Sequence, residues 1–215
     1  MGAIARAAAN NITTSGVFTS SAIANSSVTG ITVLANASDG ITFISSQTAS
    51  NSASLSFTSG LTSTYKAYKF VFSSIHPRTD AVYLTFQGST DGGSNYGVAI
   101  TNTVFQAYHW ENDSDAALQY QSGDDVAQST SFVSLVQPLS SDADHAVSGE
   151  LKFFNPSSTV FVKHFIAQFS NTHSADLAQN WFNAGYMNTT SAINAVQFKM
   201  SSGNMDGTIY LYGIK

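Results

Sequence analysis

Apolar and polar residues alternate along most of the chain from residue 41 onward. In Tyr68-Lys69-Phe70-Val71-Phe72 and in Val82-Tyr83-Leu84-Thr85-Phe86, large apolar side chains recur at every second position. Successive side chains of a β-strand point to opposite faces, so this period predicts strands with one buried face. Turn residues such as Asp91-Gly92-Gly93 separate the alternating stretches. The pattern predicts strands at 41–47, 53–57, 68–72, 82–86, 96–108, 117–121, 132–136, 147–154, 160–169, 181–187, 195–200 and 208–214.

Helical periodicity is nearly absent from the same region. The segment 174–180 predicts one or two helical turns and the segment 191–194 another, and neither is long enough to form a layer. Many short strands without crossover helices favour two packed antiparallel sheets. We therefore predict an all-β fold, an antiparallel β-sandwich of jelly-roll type, over residues 41–215. The segments 195–200 and 208–214 are expected to pair as a hairpin that closes the domain.

Residues 1–40 differ in composition from the rest and are predicted to form an extended N-terminal arm. Their main part is rich in Ser, Thr, Asn, Gly and Ala, with Phe18 as its single aromatic residue. Such a segment buries too little apolar area to offset the ordering of its backbone, which costs about 1–2 kcal/mol per residue. It is therefore a disordered leader or, as the recurring apolar residues favour, an arm that orders by packing on a partner. The candidate assembly residues of the arm are Ile12, Val17, Phe18, Ile23, Val28, Ile31, Val33 and Leu34.

The chain is poor in charge and lacks cysteine. Charged residues make up only 10% of its 215 residues, against about 25% in typical soluble domains, and the formal net charge is −5. Without cysteine, neither a disulfide framework nor a thiolate zinc site can form. The basic residues are scattered singly, so no nucleic-acid or membrane partner is expected. No signal peptide is recognisable, which predicts synthesis in the cytoplasm without signal-directed export.

Catalytic and metal-binding motifs are missing from the sequence. The small groups of aspartates are most simply solvated turn residues, although closely spaced carboxylates can also bind calcium. The histidines lack the spacing that directs two imidazoles at one metal ion. Glu111 and Glu150 are the only glutamates, and no nucleophile elbow, phosphate loop or dinucleotide fingerprint is present. No catalytic residue, metal ligand or cofactor is therefore predicted, and the chain is not expected to be an enzyme.

Aromatic residues near predicted turns are the remaining candidates for binding. Trp181 and Phe182 fit the core or a subunit interface, because they lie inside an alternating segment. Tyr108, His109, Trp110 and Glu111 are the better surface candidates, because they run directly from a strand into a polar loop. Flat aromatic rings with polar edges suit stacking on sugars or anchoring a protein partner. These four residues are the candidate glycan or partner surface.

Several segments of the chain resemble a widespread group of bacteriophage structural proteins. The resemblance rests on Ala53-Ser54-Leu55-Ser56-Phe57-Thr58-Ser59-Gly60, Trp181-Phe182-Asn183-Ala184-Gly185-Tyr186, Gln197-Phe198-Lys199-Met200-Ser201-Ser202-Gly203-Asn204 and Gly207-Thr208-Ile209-Tyr210-Leu211-Tyr212-Gly213. It covers residues 41–215, and the arm matches it less well. The group is typical of phages of marine and freshwater bacteria, including cyanobacteria, and its members are tail-fibre-like or head-decoration-like.

The resemblance implies a virion protein whose all-β domain is displayed outward as a homotrimer. Residues 1–40 would attach it to other virion proteins of the capsid or tail. A short tail fibre or spike that contributes to host-surface binding is the leading expectation. A capsid decoration, or cement, protein is the alternative, and a glycan-binding or glycan-cleaving domain is a further one.

Overall fold

The computed structural model describes residues 40–215, so the eight candidate assembly residues of the arm lie outside the described residues. Strands form the whole regular structure of the described part, and no helix is present there, hence none that could span a membrane. The strands are β1 (Ile41–Ser52), β2 (Leu55–Phe57), β3 (Ala67–Pro77), β4 (Val82–Ser89), β5 (Ile100–Trp110), β6 (Ala116–Tyr120), β7 (Val133–Leu139), β8 (Val147–Phe154), β9 (Lys163–His173), β10 (Leu177–Met187), β11 (Ala195–Met200) and β12 (Met205–Ile214).

The strands form two antiparallel sheets, which confirms the all-β prediction. The larger sheet has eight strands in the order β1-β12-β3-β8-β9-β10-β5-β6, and the smaller has four in the order β2-β11-β4-β7. Every predicted strand is present, although most extend further than the alternating stretch that marked them. The strands are longer because a strand continues for as long as its backbone finds hydrogen-bond partners in the sheet, whereas the hydrophobic pattern marks only the part that packs in the core.

The hydrophobic core lies between the two sheets. Phe198 of β11 meets Phe70 and Phe72 of β3 edge-on, with ring centroids 5.1 and 5.0 Å apart. Phe86 of β4 meets Phe165 of β9 in the same way at 4.9 Å. Edge-to-face contacts at these distances are the favoured geometry of packed aromatic rings. The period-two pattern thus places one face of each sheet against the other, as in a β-sandwich.

Three local predictions were wrong. The segment 174–180 forms no helix, because Leu177 begins β10, which pairs over its full length with β9 on one side and β5 on the other. The segment 191–194 is irregular as well. The last two strands form no hairpin, since β11 belongs to the smaller sheet and β12 to the larger one. The turn between them crosses from one sheet to the other, which lets both strands bury their apolar faces in the same core.

The larger sheet extends beyond the smaller one. At the edge of the smaller sheet, β7 packs on β9 and β10, so β5 and β6 lie beyond it. Several inward-facing positions of β5 and β10 are accordingly polar amides: Asn102, Gln106, Gln179 and Asn183. This overhang forms the floor of the site described below.

Candidate binding cleft

A cleft runs along the inward face of β10 and β5, beyond the edge of the smaller sheet. It consists of three depressions of about 340, 270 and 350 Å³ that share lining residues with their neighbours. The first two depressions share Gln106, Gln179 and His173, and the last two share Trp110. We name the cleft by six lining residues: Gln106, Tyr108, Trp110, His173, Gln179 and Trp181.

A chain of amide side chains crosses the floor of the cleft. Asn171 of β9 donates from Nδ2 to Gln179 Oε1 at 3.0 Å, and Gln179 donates from Nε2 to Gln106 Oε1 at 2.7 Å. Gln179 and Gln106 are only 5% and 8% exposed. Because the three residues lie on neighbouring strands and bond to one another, their amides are held in fixed orientations.

A second amide pair attaches the loop after β6 to the sheet. Asn102 donates from Nδ2 to Asn183 Oδ1 at 3.0 Å and accepts from the backbone N–H of Val126 at 2.7 Å. Asn183 in turn donates to the carbonyl oxygen of Ser134 in β7 at 2.7 Å. These bonds hold the loop after β6 and strand β7 against β5 and β10, and both segments contribute residues to the cleft lining.

Two buried polar atoms at the cleft have no hydrogen-bond partner among the described residues. They are the indole Nε1–H of Trp181, a residue only 2% exposed, and Oδ1 of Asn171. An unpaired buried polar atom costs about 1–3 kcal/mol. In natural proteins such atoms concentrate where the structure serves a purpose other than stability, and here both belong to strands that form the cleft floor.

Aromatic residues and two turns form the open end of the cleft. Tyr108 donates its hydroxyl to Asp115 at 2.8 Å, and this hydrogen bond raises the pKa of Tyr108. The backbone N–H of Trp110 donates to the backbone carbonyl oxygen of Asp115 at 3.0 Å, and the backbone N–H of Glu111 donates to that of Asp176 at 3.1 Å. The turn after β5 is therefore tied to the turn before β10, which holds the half-buried Trp110 in place.

The structure brings together three of the four sequence-predicted surface residues. Tyr108 and Trp110 line the cleft, and Glu111 lies at its end. His109 is turned to the opposite face of the sheet, where its imidazole pairs with Asp113 at 3.0 Å. The separation follows from the strand itself, because consecutive side chains point to opposite faces.

Sequence reasoning missed the cleft floor. Gln106 lies in a predicted strand, Gln179 lies in the segment 174–180 for which the sequence predicts helical turns, and Trp181 is expected in the core or at an interface, so neither amide is identified as a site residue. The signal that identifies them is a polar residue at a position where period two requires an apolar one. In β10, the inward series Leu177, Gln179, Trp181 and Asn183 alternates apolar with amide.

Negative charge and a neutral histidine characterise the cleft. Burial, reinforced by the charge of Asp125, raises the pKa of Asp124 to about 6. Burial lowers the pKa of His173, whose Nδ1 accepts a hydrogen bond from the Ala175 N–H at 2.8 Å. Among the described residues that line the cleft, none is lysine or arginine. At neutral pH the cleft therefore carries carboxylates without a cationic partner.

Replacing Asp124 by asparagine is expected to remove a pH-dependent loss of stability. Because the folded state holds this proton more tightly than the unfolded chain, raising the pH from about 4 to about 6 lowers the free energy of unfolding. For a residue only 7% exposed, the loss is up to about 3 kcal/mol above pH 7. Asparagine does not ionise, and its Oδ1 still accepts from Gln137 Nε2.

Urea unfolding at pH 4 and pH 7.5 tests this expectation. The variant should match the natural chain at pH 4 and exceed it in stability at pH 7.5. An equal stability difference between the two proteins at both pH values would show that Asp124 titrates normally in the folded state.

Comparison with known proteins gives no family for this chain. No family model matches it, and no curated protein matches it significantly. A solved structure of a structural-genomics protein of unknown function from Bacteroides ovatus shares 9% identity, covering 48% of this chain and 45% of that chain, with a TM-score of 0.27. The chain thus spans less than half the length of that protein, and the likeness supports no conclusion about fold or function.

Proposed function

We propose that this chain is a structural protein of a bacteriophage particle. It forms a trimeric β-sandwich of jelly-roll type, is attached through residues 1–40, and is displayed outward as a short tail fibre or spike that contributes to host-surface binding. The observation that carries the proposal is the apolar outer face of the larger sheet, which the described residues leave exposed. The sequence resemblance described above and the strand order agree with it.

The strand order supports the jelly-roll assignment. A jelly roll is an antiparallel ribbon of four strand pairs rolled into two sheets. The pairs β1–β12, β2–β11, β3–β8 and β4–β7 supply such a ribbon. Their orders β1-β12-β3-β8 and β2-β11-β4-β7 are those of its two sheets, and β5-β6 and β9-β10 are inserted hairpins. Viral capsid domains and lectins are common uses of this fold.

The outer face of the larger sheet carries most of the large apolar side chains that are exposed in the described residues. Phe105 stacks on Phe182 with ring centroids 4.7 Å apart, and Tyr120 lies beside Phe105 in the next strand. Leu118 and Tyr120 of β6 lie beside β5, where Phe105 is exposed, and clustered exposed apolar residues commonly mark an interaction surface, so this part of the face suits burial against sister chains. Its exposed members are Ile41, Phe43, Phe105, Leu118, Tyr120, Phe154 and Ile166.

The few charges at the middle of this face pair with one another. Glu150 forms ion pairs with Lys69 and with Lys152, the latter at 2.9 Å, and both lysines lower the pKa of Glu150. Paired charges can enter an interface with a smaller desolvation penalty than single ones. The face therefore has the composition of an assembly surface.

A capsid decoration protein is the second candidate for the same architecture. It would use the arm to grip capsid subunits and the apolar sheet face to add buried area at a symmetry axis. The two candidates differ in location and copy number rather than in fold. A fibre is present in few copies at the tail, whereas a decoration protein covers the head.

Light scattering on the full chain is expected to give the mass of a trimer. Ile166, which is 53% exposed, lies on the outer face of the larger sheet, and Ile166→Asp should shift the mass toward the monomer. Phe161→Asp is the matched control, because Phe161 is 68% exposed but lies in the loop before β9. A natural chain that stays monomeric at micromolar concentration contradicts the trimer.

The particle itself tests the remaining part of the proposal. Antibodies against residues 40–215 should label intact virions, at the tail for a fibre and over the head for a decoration protein. Deleting residues 1–40 should leave a folded protein that no longer joins particles. If the antibodies find no protein on virions, the virion role is contradicted. If particles incorporate the truncated form normally, the attachment role of the arm is contradicted.

A further inference from the structure

We propose that the cleft lined by Gln106, Tyr108, Trp110, His173, Gln179 and Trp181 binds a neutral saccharide. The inference deepens the host-surface binding in the proposed function and rests on it. It also moves the binding site from the exposed loop after β5 to the inward face of the overhanging strands.

The amides of the cleft floor offer the hydrogen bonding that sugars require. A sugar hydroxyl both donates and accepts, and a glutamine amide provides two N–H donors and a carbonyl acceptor. In the amide chain, Gln179 Nε2 uses one N–H toward Gln106 Oε1, and this bond does not involve the Gln106 amide nitrogen. Both side chains are held by strands rather than by loops, so little order has to be gained on binding.

The aromatic residues add apolar area and an unpaired donor. Tyr108 and Trp110 are half-buried along one side of the cleft, where a ring face can pack on the apolar face of a sugar. The Trp181 Nε1–H lacks a partner among the described residues, although Trp181 lines the cleft. This nitrogen is closed to solvent, so a ligand hydroxyl would satisfy it only after the groups that cover it move on binding.

Charge selects a neutral ligand over an acidic one. The cleft presents the carboxylates of Asp115 and Asp124. Its histidine, His173, is held neutral by burial and by the hydrogen bond that its Nδ1 accepts. With no lysine or arginine in the described lining, a sialic acid, a uronic acid or a phosphorylated sugar would meet only like charge.

The dimensions favour a short oligosaccharide. Each of the three connected sections, of about 340, 270 and 350 Å³, is near the lower end of the roughly 300–1,000 Å³ of small-molecule sites. Because the sections follow one another along β5 and β10, several sugar units can occupy them in sequence.

A glycan array with the full chain, followed by titration calorimetry on the best neutral oligosaccharide, tests the inference. Trp110→Ala and Gln179→Ala are each expected to weaken binding by about tenfold or more. His109→Ala is the matched control, because His109 is the neighbour of Trp110 in sequence but lies on the opposite face. It should bind as the natural chain does. Thermal unfolding of each variant establishes that it is folded.

Gln106→Glu keeps the length of the side chain and provides a second test of the site if Gln179→Ala does not fold. It exchanges two N–H donors for a negative charge and should also weaken binding by about tenfold. Binding that survives in folded Trp110→Ala and Gln106→Glu overturns the site. Binding restricted to acidic glycans, or no binding to any neutral glycan at millimolar concentration, overturns the ligand class. Labelling of virions is measured separately, so a trimeric virion protein without glycan binding contradicts this inference and leaves the structural role standing.

Discussion

Phe198→Ala is expected to lower the free energy of unfolding by about 4 kcal/mol. The Phe198 ring is fully buried between the two sheets, in contact with the rings of Phe57, Phe70, Phe72 and Phe86. Truncation to alanine removes the transfer free energy of the ring and leaves a cavity whose walls belong to both sheets. Phenylalanine-to-alanine changes in such positions typically cost about 3–5 kcal/mol. Urea unfolding followed by tryptophan fluorescence measures the loss.

Phe161→Ala is the matched control for this change. It removes the same side chain from a site that is 68% exposed, so the free energy of unfolding should change by no more than about 0.5 kcal/mol. If Phe198→Ala costs less than about 1 kcal/mol, Phe198 does not join the two sheets in the way its ring contacts indicate.

Sequence alone predicted the strands because their signal is local. The alternation in Tyr68-Lys69-Phe70-Val71-Phe72 follows directly from burying one face of β3, whatever its neighbours are. Which strands pair is a different matter, since it depends on residues far apart in the chain. β11 and β12 follow one another closely, yet β11 pairs with β2 and β4 while β12 pairs with β1 and β3. Nothing in the intervening turn specifies that the chain changes sheet there.

The helical turns predicted at 174–180 failed for a related reason. Alanine, leucine and glutamine at these positions have good helix propensity, and propensity is a weak prior when a strand can gain partners on both sides. The 3.0 Å bond between Asn171 and Gln179 joins β9 to β10 across the hairpin that replaces the helix. Tertiary pairing therefore decided the structure of this segment.

The candidate site was predictable at its edge and not at its floor. Tyr108 and Trp110 attract attention as aromatics before a polar loop, and both line the cleft. Gln106 and Gln179 can be recognised as site residues only once the strand faces are known, because this sequence is rich in polar residues and a buried amide cannot be told from an exposed one. The unequal width of the two sheets creates the cleft, and that width is a property of the topology.

Gly149→Ala is expected to lower the free energy of unfolding by about 3 kcal/mol. Gly149 in β8 lies in register between Phe72 of β3 and Phe169 of β9, whose ring centroids are 5.0 Å apart. A Cβ at this position would clash with the carbonyl oxygen of Gln168 and would lie 2.6 Å from a ring carbon of Phe169. Overpacking of this kind typically costs about 1–3 kcal/mol, and a backbone atom has less freedom to move away than a side chain.

Gly123→Ala provides the control for Gly149→Ala. Among the described residues, no atom outside its two chain neighbours lies within 4 Å of its added Cβ, and Gly123 does not adopt a left-handed backbone, so the change should leave stability unaltered or raise it by up to about 1 kcal/mol. Urea unfolding of both variants separates a clash in the sheet from a general effect of replacing glycine. Equal stability of the two variants would mean that β8 and β9 move apart without cost. In that case the close contact of Phe72 and Phe169 across Gly149 would not contribute to holding the centre of the larger sheet together.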